Sequence, residues 1–333
     1  MKHKIALLCG GYSGEAEVSF NSAAFVEKNI NEDLYEVYKI KVMTDRWLYE
    51  SPDGEAYDID RNDFSLTLAD RKINFDLVFM MIHGAPGENG LLQGYFEMLN
   101  IPYTCCDSLT SSLTMNKGYT KAVLREVPNL FLAKSVLLFE HQRQEAASIV
   151  RAQLRLPIFV KPNAGGSSIG MSKVESDAEI EAAIDLAFDA KNTGKQVLVE
   201  EFVSGREFSV GVYKFKGTLN VFPATEVITS NTFFDYDAKY IPGLTEEITP
   251  ANINDEQKQR MEQIVKDIYL KLNCKGLVRI DFFFEKETDH FYFIELNTIP
   301  GQTKTSFIPQ QIRATGKTEK EFYQEWIESA LVP

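Results

Sequence analysis

A β-hairpin predicted near the C-terminus strongly constrains how this chain can fold. Its first strand begins with Arg-Ile-Asp, its second strand ends with Glu-Leu-Asn, and a polar turn lies between them. If Lys286 pairs with His290 across a three-residue turn, Asp281 lies directly opposite Glu295. Side chains alternate between the two faces of a sheet, so both carboxylates then point to the same face.

Opposed carboxylates need compensation, and this requirement indicates a metal site. At a separation of about 5 Å and an effective dielectric of about 20, two such charges repel by ~3 kcal/mol. The same register places Asn297 opposite Arg279. Asp281, Glu295 and Asn297 together offer the hard oxygen ligands that suit Mg²⁺. The hairpin alone leaves two alternatives open, which are neutralisation by Arg279 or Lys286 and a bulge that shifts the register.

Composition narrows the class of this protein and its partners. The chain has 333 residues, of which 44% are hydrophobic and 25% charged, which predicts two or three domains with an ample core. A formal charge of −13 argues against nucleic acid as a partner, and no apolar stretch approaches the ~18 residues of a membrane span. The four cysteines form no C-x-x-C pair, which favours reduced thiols in a cytoplasmic protein.

The first third of the chain alternates between strand and helix patterns. An apolar strand at 4–9 precedes a Gly-Gly turn, an amphipathic helix at 15–30 and a second strand at 35–43. The apolar run at 75–82 is typical of a central parallel strand. This alternation predicts a doubly wound parallel-sheet domain of the α/β class over residues 1–108.

A glycine-rich loop marks the predicted central domain, residues 109–196. Lys161 ends a short strand, and the loop NAGGSSIG follows at 163–170. Backbone N–H groups of such loops bind phosphates, although this spacing is not that of a Walker A motif, and an unliganded surface loop is the alternative. Strand patterns dominate the predicted C-terminal domain, residues 197–333, where Asn254 is a predicted helix N-cap.

Further candidate residues lie at strand ends and in one long loop. The turn that carries Glu15 follows the first strand, where open α/β sheets bind ligands, and its spacing disfavours the alternative of a nicotinamide-dependent dehydrogenase. His83 ends another strand at the same sheet edge. Residues 230–243 form a long segment typical of a lid, with Lys239 and Tyr240 as candidates to cover a substrate, or a packed loop without chemistry.

Eight segments spread along the chain form one larger pattern: GGYSGEAEVS at 10–19, HGAPGENGLLQG at 83–94, SLTMNKGYTK at 112–121, VKPNAGGSSIGMSKV at 160–174, EEFVSGREFSV at 200–210, FFDYDAKY at 233–240, GLVRIDFFF at 276–284 and ELNTIPGQTKTSFIP at 295–309. In this order they resemble the D-alanine–D-alanine ligase family of the ATP-grasp superfamily. The resemblance implies the N-terminal α/β domain followed by a two-domain ATP-grasp fold of the α+β type.

The resemblance also implies an activity and its cofactors. Two D-alanines would be joined through a D-alanyl phosphate at the expense of ATP, for peptidoglycan synthesis in the bacterial cytoplasm. Two Mg²⁺ ions, or Mn²⁺ in their place, would be bound by Asp281, Glu295 and Asn297. The implied ATP-binding residues are Lys117, Lys161, Ser167, Ser168, Glu200, Val203, Glu207 and Lys239.

Roles at the substrate site follow from the same resemblance. They are binding of the first D-alanine by Glu15 and His83, lid closure by Ser167 and Tyr240, stabilisation of the oxyanion by Arg279 and Gly301, and binding of the second D-alanine by Ser306. A homodimer is also implied. A D-alanine–D-lactate ligase, a ligase for another D-amino acid and an inactive ATP-binding protein remain alternatives, and the Lys239-Tyr240 pair favours the dipeptide product.

Overall fold

The computed structural model describes residues 2–69, 71–166, 170–190, 195–229 and 245–332. The strands within these ranges are β1 His3–Gly10, β2 Tyr35–Val42, β3 Trp47–Glu50, β4 Ala56–Asp60, β5 Ser65–Leu68, β6 Arg71–Ile73, β7 Leu77–Met80, β8 Leu130–Phe131, β9 Ser135–Phe139, β10 Ile158–Pro162, β11 Ser172–Val174, β12 Gln196–Glu201, β13 Arg206–Phe215, β14 Thr218–Val221, β15 Thr225–Thr229, β16 Thr245–Ile248, β17 Leu277–Glu285 and β18 His290–Asn297. The α-helices are α1 Ala16–Asn29, α2 Leu91–Leu99, α3 Ser108–Met115, α4 Lys117–Leu124, α5 Ala146–Gln153, α6 Ile180–Asp189, α7 Asp255–Lys271, α8 Phe307–Ala314 and α9 Glu319–Leu331.

The N-terminal sheet has the strand order β6-β5-β4-β3-β2-β1-β7. Strands β2, β1 and β7 pair in parallel, as the apolar runs at 4–9 and 75–82 predict. Strands β3 to β6 extend this sheet as an antiparallel meander that was not predicted. The α/β class is therefore confirmed, and the parallel pairing is restricted to the part of the sheet whose strand ends carry Glu15 and His83.

The central sheet, β11-β10-β12-β9, is antiparallel throughout. Helices α5 and α6 cover it, and their apolar side chains share one hydrophobic cluster with those of the sheet. Ser176 and Glu179 form a capping box at a short 3₁₀ turn that leads into α6. Strand β10 carries Lys161 to the start of the glycine-rich loop.

The third sheet has the order β16-β15-β13-β17-β18-β8, and β14 pairs with β13. Its hairpin β17-β18 places Asp281 opposite Glu295, as predicted. The turn itself was predicted wrongly, because Glu285 rather than Lys286 pairs with His290. A bulge next to Asp281 takes up the additional turn residue and restores the predicted register at the candidate site.

The chain returns at its C-terminal end to the N-terminal sheet. Trp326 of α9 donates a hydrogen bond from Nε1 to the Thr104 carbonyl at 2.7 Å, and its ring centroid lies 4.9 Å from that of Phe79. Phe322 and Tyr323 belong to the same hydrophobic cluster as β1 and β7. The hydrophobic core of the N-terminal sheet is therefore built from both ends of the chain. The three predicted domain ranges stay a prediction. Among the described helices, none combines the length and apolar character needed to cross a membrane.

Candidate active site

A cavity of about 430 Å³ lies between the carboxyl ends of the N-terminal strands, the central loop and the hairpin. Of the predicted site residues, its wall contains Glu15, His83, Lys117, Arg279, Glu295, Asn297, Gly301 and Ser306. Lys161, Glu200, Val203, Glu207 and Asp281 are described but do not line this cavity. Four further predictions, Ser167, Ser168, Lys239 and Tyr240, fall outside the described residues.

Glu15 stands at the N-terminal end of α1, with its carboxylate between two glycines. An added Cβ would lie 2.8 Å from Glu15 Oε2 at Gly84 and 2.7 Å from Oε1 at Gly166. Ser13 Oγ accepts the Glu15 N–H at 3.2 Å and donates to the His83 carbonyl at 3.1 Å. The N-terminal turn, the loop after β7 and the central loop therefore meet around a single carboxylate.

Asp281 is held by three side chains of the third sheet. Arg279 donates to it from Nε to Oδ1 at 3.0 Å and from Nη2 to Oδ2 at 2.9 Å. Ser209 Oγ donates to Oδ1 at 2.6 Å, and Asn297 Nδ2 donates to Oδ2 at 3.2 Å. Burial alone would lower the pKa of Arg279, but the adjacent Asp281 raises it above the usual value. Neutralisation by Arg279, one of the alternatives left open by the sequence, is therefore present in the structure.

Lys117, the first residue of α4, connects the central loop to the hairpin. Its Nζ lies 3.3 Å from Glu295 Oε2 and donates to the Gly165 carbonyl at 2.9 Å. Asn163 Oδ1 accepts the Gly118 N–H at 2.8 Å and holds the start of α4 against the same loop. Each of the two opposed carboxylates of the hairpin therefore faces its own cation.

A second group of charged side chains is buried where helix α4 meets the central sheet. Lys161 and Lys121 both contact the carboxylate of Glu200. Burial and then the charge of Lys117 lower the pKa of Lys161 to about 8, while the Glu200 carboxylate in direct contact favours the protonated form. Lys121 is the last residue of the segment SLTMNKGYTK at 112–121 but was not selected as a site residue. Its spacing of four residues from Lys117, which puts both on one helix face, was the available signal.

The ATP-site candidates Val203 and Glu207 lie at the start of the third sheet. Glu207 is a partly buried residue of β13, where it pairs with Phe283 of β17 and Val227 of β15. Val203 is also partly buried and lies in the short connection between β12 and β13. This connection follows directly from the strand that carries Glu200, so all three candidates lie along one stretch of chain.

His83 and Glu88 both line the cavity. The two His83 ring nitrogens lie 2.9 Å from the Ile299 carbonyl and 3.0 Å from Ser22 Oγ. Burial lowers the pKa of His83 to about 4, so its ring is neutral at pH 7. Burial, and secondarily Glu15, raise the pKa of Glu88 to about 7. Glu88 lies in the segment HGAPGENGLLQG at 83–94 but was not selected as a site residue.

Gly301 and Ser306 border the cavity from the loop that follows β18. Ser306 Oγ accepts the Thr303 N–H at 2.9 Å and lies 2.8 Å from Thr303 Oγ1, so its hydroxyl is held in place. Within the described residues, the Gly301 N–H has no hydrogen-bond partner. An N–H group at a cavity wall can therefore bind an oxygen of a ligand.

Comparison with known families gives the same match along most of the chain. The family described as the D-ala D-ala ligase N-terminus matches residues 4–106. The family described as the D-ala D-ala ligase C-terminus matches residues 125–328. Together these two matches include every predicted site residue except Lys117.

Individual relatives are similar over their full lengths. A D-alanine–D-alanine ligase from Azobacteroides pseudotrichonymphae is 42% identical over 98% of this chain and 99% of its own, and one from Bacteroides fragilis is 41% identical over 99% of each. A solved D-Ala:D-Ser ligase from Enterococcus faecalis has a TM-score of 0.88 and 32% identity, covering 99% of this chain and 100% of its own. D-alanyl-alanine synthetase A from Vibrio cholerae has a TM-score of 0.86 and 29% identity, covering 100% of this chain and 99% of its own. The chain therefore belongs to the D-alanine–D-alanine ligase family, a family of ATP-dependent ligases.

Proposed function

We propose that this protein joins two D-alanines to D-alanyl-D-alanine, with conversion of ATP to ADP and phosphate. The observation that carries this proposal is the convergence of Glu15, Arg279, Gly301 and Ser306 on one cavity whose wall also contains Lys117. Such a set offers an anion for an amine, cations for phosphate and donors for carboxylate oxygens. Family membership supports the same activity and argues against a nicotinamide-dependent dehydrogenase.

The first half-reaction activates a carboxylate, which is by itself a poor acyl donor. Glu15 binds the ammonium of the first D-alanine and presents its carboxylate to the γ-phosphorus of ATP. A carboxylate oxygen bonds to this phosphorus as the bond to the ADP oxygen breaks, which yields D-alanyl phosphate. Lys117 and Lys161 bind the phosphates and offset the negative charge that spreads over the transferring group.

The hairpin has the chemistry of a Mg²⁺ site. Asp281 and Glu295 are opposed carboxylates. The side-chain N–H of Asn297 donates a hydrogen bond to Asp281, so the side-chain carbonyl oxygen of Asn297 is the atom that can bind a metal ion. These three residues would hold two Mg²⁺ ions, with Mn²⁺ as a substitute. When bound, the ions neutralise phosphate charge and orient the phosphates. Arg279 already fixes the Asp281 carboxylate in the orientation seen here.

The second half-reaction forms the peptide bond. Ser306 binds the carboxylate of the second D-alanine, whose amine attacks the acyl carbon of D-alanyl phosphate. The carbonyl oxygen becomes an oxyanion, which Arg279 and the Gly301 N–H stabilise. The carbonyl then re-forms as the bond to phosphate breaks, and the departing phosphate accepts the proton that the amine loses. Water must be excluded because the acyl phosphate hydrolyses readily.

The remaining roles are carried over from the family resemblance. Glu200 and Val203 line the adenine pocket, and Glu207 binds the ribose. Ser168 and Lys239 bind phosphate oxygens. Ser167 and Tyr240 close the lid over Glu15 by hydrogen bonds.

The family also suggests how the protein is assembled and where it acts. We propose a homodimer in the bacterial cytoplasm, where ATP is available. The four cysteines are all free and buried, which suits a reducing compartment. Neither nucleic acid nor a membrane is proposed as a partner, since the formal charge is −13.

The reaction is tested by following phosphate release from Mg·ATP with D-alanine and identifying products by mass. We expect D-alanyl-D-alanine with about one ATP consumed per dipeptide, because the lid protects the acyl phosphate. Tight ATP binding without turnover on any D-amino acid would contradict the proposal and favour an inactive ATP-binding protein.

The acceptor is tested in the same assay with D-alanine plus D-serine or D-lactate. The likeness to the Enterococcus faecalis D-Ala:D-Ser ligase makes D-serine the specific second candidate. We expect D-alanine to be the preferred acceptor, in agreement with the names of the 41–42% identical relatives. A predominant D-alanyl-D-serine or D-alanyl-D-lactate product would keep the mechanism and replace the acceptor.

Substitution of Gly166 tests the position of Glu15. In Gly166→Ala, the new Cβ meets the Glu15 carboxylate at 2.7 Å and displaces it, so the KM for the first D-alanine should rise about tenfold. The thermal midpoint should change little, because a carboxylate at the end of a side chain can move. Gly14→Ala is the matched control, since its added Cβ meets no described atom within 4 Å. Equal KM values in the two variants would contradict this placement.

A further inference from the structure

The backbone N–H and the backbone carbonyl of one residue in the C-terminal domain, Ile299, are both bound by side chains of the N-terminal domain. The Ile299 N–H donates to Glu88 Oε1 at 3.1 Å, and the Ile299 carbonyl accepts from His83 Nδ1 at 2.9 Å. His83 and Glu88 lie on the same loop after β7, and Ile299 follows β18. The two domains are therefore joined at the backbone of a residue that lines the cavity.

The direction of these hydrogen bonds follows from the chemistry of the groups. A carbonyl can only accept, so His83 Nδ1 carries the hydrogen, and the neutral ring leaves Nε2 as an acceptor. Ser22 Oγ, at 3.0 Å from Nε2, donates to it and accepts the Gln302 N–H at 3.2 Å. This series of hydrogen bonds runs from Gln302 through Ser22 and His83 to Ile299, so it begins and ends on the same loop.

Glu88 completes the arrangement from the other side. Its Oε2 accepts the Gly84 N–H at 2.8 Å while Oε1 accepts the Ile299 N–H. Ser22 and Glu88 thus bind the N–H groups of Gln302 and Ile299, on either side of Gly301. Buried hydrogen bonds fix the orientation of the backbone groups that they bind. Because the backbone is fixed at Ile299 and at Gln302, the direction of the Gly301 N–H between them is restricted too.

We propose that Ser22, His83 and Glu88 form a clamp that positions the turn 299–302 for acyl transfer. The clamp residues orient the Gly301 N–H across the domain boundary and do not contact substrate themselves. His83, which the sequence analysis associates with the first D-alanine, acts in this proposal through the loop. The catalytic part of the inference rests on the proposed ligase function, whereas the existence of the clamp does not.

The test compares two serines of helix α1. Ser22→Ala removes the link between Gln302 and His83. Ser19→Ala is the matched control, because Ser19 is equally buried and joins the Gly10 N–H at 2.8 Å to the Met81 carbonyl at 2.6 Å, outside the clamp. Both changes remove two hydrogen bonds from the same helix, so both should lower the thermal midpoint similarly.

Hydrogen exchange followed by mass spectrometry reports on the clamp without any turnover. In a peptide that spans residues 298–306, we expect exchange to be roughly tenfold faster in Ser22→Ala than in wild type, and unchanged in Ser19→Ala. Glu88→Gln, which replaces one acceptor oxygen by a donor, should likewise accelerate exchange there. Unchanged exchange in both Ser22→Ala and Glu88→Gln would overturn the clamp.

Turnover then separates positioning from a purely structural role. Ser22→Ala should lower the rate of dipeptide formation roughly ten- to hundredfold and raise the ATP consumed per dipeptide, with the KM for ATP unchanged. Ser19→Ala should leave the ratio of ATP to dipeptide unchanged. Faster exchange with an unchanged ratio and rate in Ser22→Ala would overturn the positioning role. Absence of dipeptide from wild type would contradict the proposed function alone, since the exchange experiment still decides whether the clamp exists.

Discussion

Replacing Glu295 by Gln is expected to lower the turnover number about 10³-fold at any Mg²⁺ concentration that saturates the wild type. The variant keeps the shape of the side chain but removes its charge. It therefore loses a proposed metal ligand and the counter-ion of Lys117, whose Nζ lies 3.3 Å from Glu295 Oε2. The rate of phosphate release, measured over a series of Mg²⁺ concentrations, should also show a weaker apparent affinity for the ion.

The control for this experiment lies on the same hairpin. Glu287 is an exposed residue of the β17-β18 turn, so Glu287→Gln makes the same chemical change away from the cavity. It should retain the wild-type rate and Mg²⁺ dependence. A near-normal rate for Glu295→Gln at limiting Mg²⁺ would show that this carboxylate is not a metal ligand.

Arg279→Lys is expected to lower kcat/KM by about 10²- to 10³-fold, although it preserves the positive charge. The guanidinium makes two parallel hydrogen bonds to Asp281, and an ammonium cannot reproduce this fork. Asp281 then loses its orientation, and the proposed oxyanion loses a donor. The unfolding free energy should fall by about 1 to 2 kcal/mol, as for one lost charge-assisted hydrogen bond.

Arg206→Lys provides a matched change in the same sheet. Arg206 makes an equivalent fork to Glu226, from Nε to Oε1 at 2.6 Å and from Nη2 to Oε2 at 2.7 Å, away from the cavity wall. Denaturant unfolding should show a similar stability loss in both variants, while steady-state kinetics should show a defect only in Arg279→Lys. Equal kinetic defects in the two would refute the specific role of Arg279.

The hairpin illustrates how a local prediction can succeed through compensating features. The assumed pair of Lys286 with His290 led to the correct prediction that Asp281 lies opposite Glu295. The turn length was wrong by one residue, and the bulge beside Asp281 corrected the register. Burial on one face specifies register strongly, because a slip of one residue would expose every buried side chain. Turn residues are exposed and carry no such penalty.

The ion-pair partners of the charged side chains were harder to predict from the sequence than the hairpin register. Lys117 was predicted to bind phosphate, but its contacts with Glu295 and Gly165 join residues that are far apart along the chain. Lys121 was not selected, although it shares Glu200 with Lys161. A lysine on a helix is usually solvated, and only packing against the central sheet reveals that this one is buried.

The sequence by itself determined the elements whose side chains repeat with a clear period and the motifs that identify the family. These include the parallel strands β1 and β7, helix α7 with its Asn254 cap, and the hairpin face. The tertiary structure alone decided that α9 packs against the N-terminal sheet and that His83 and Glu88 bind the backbone carbonyl and N–H of Ile299. The physical reason is that every residue other than proline has the same backbone N–H and carbonyl. The sequence therefore cannot show which residue binds a partner through these groups.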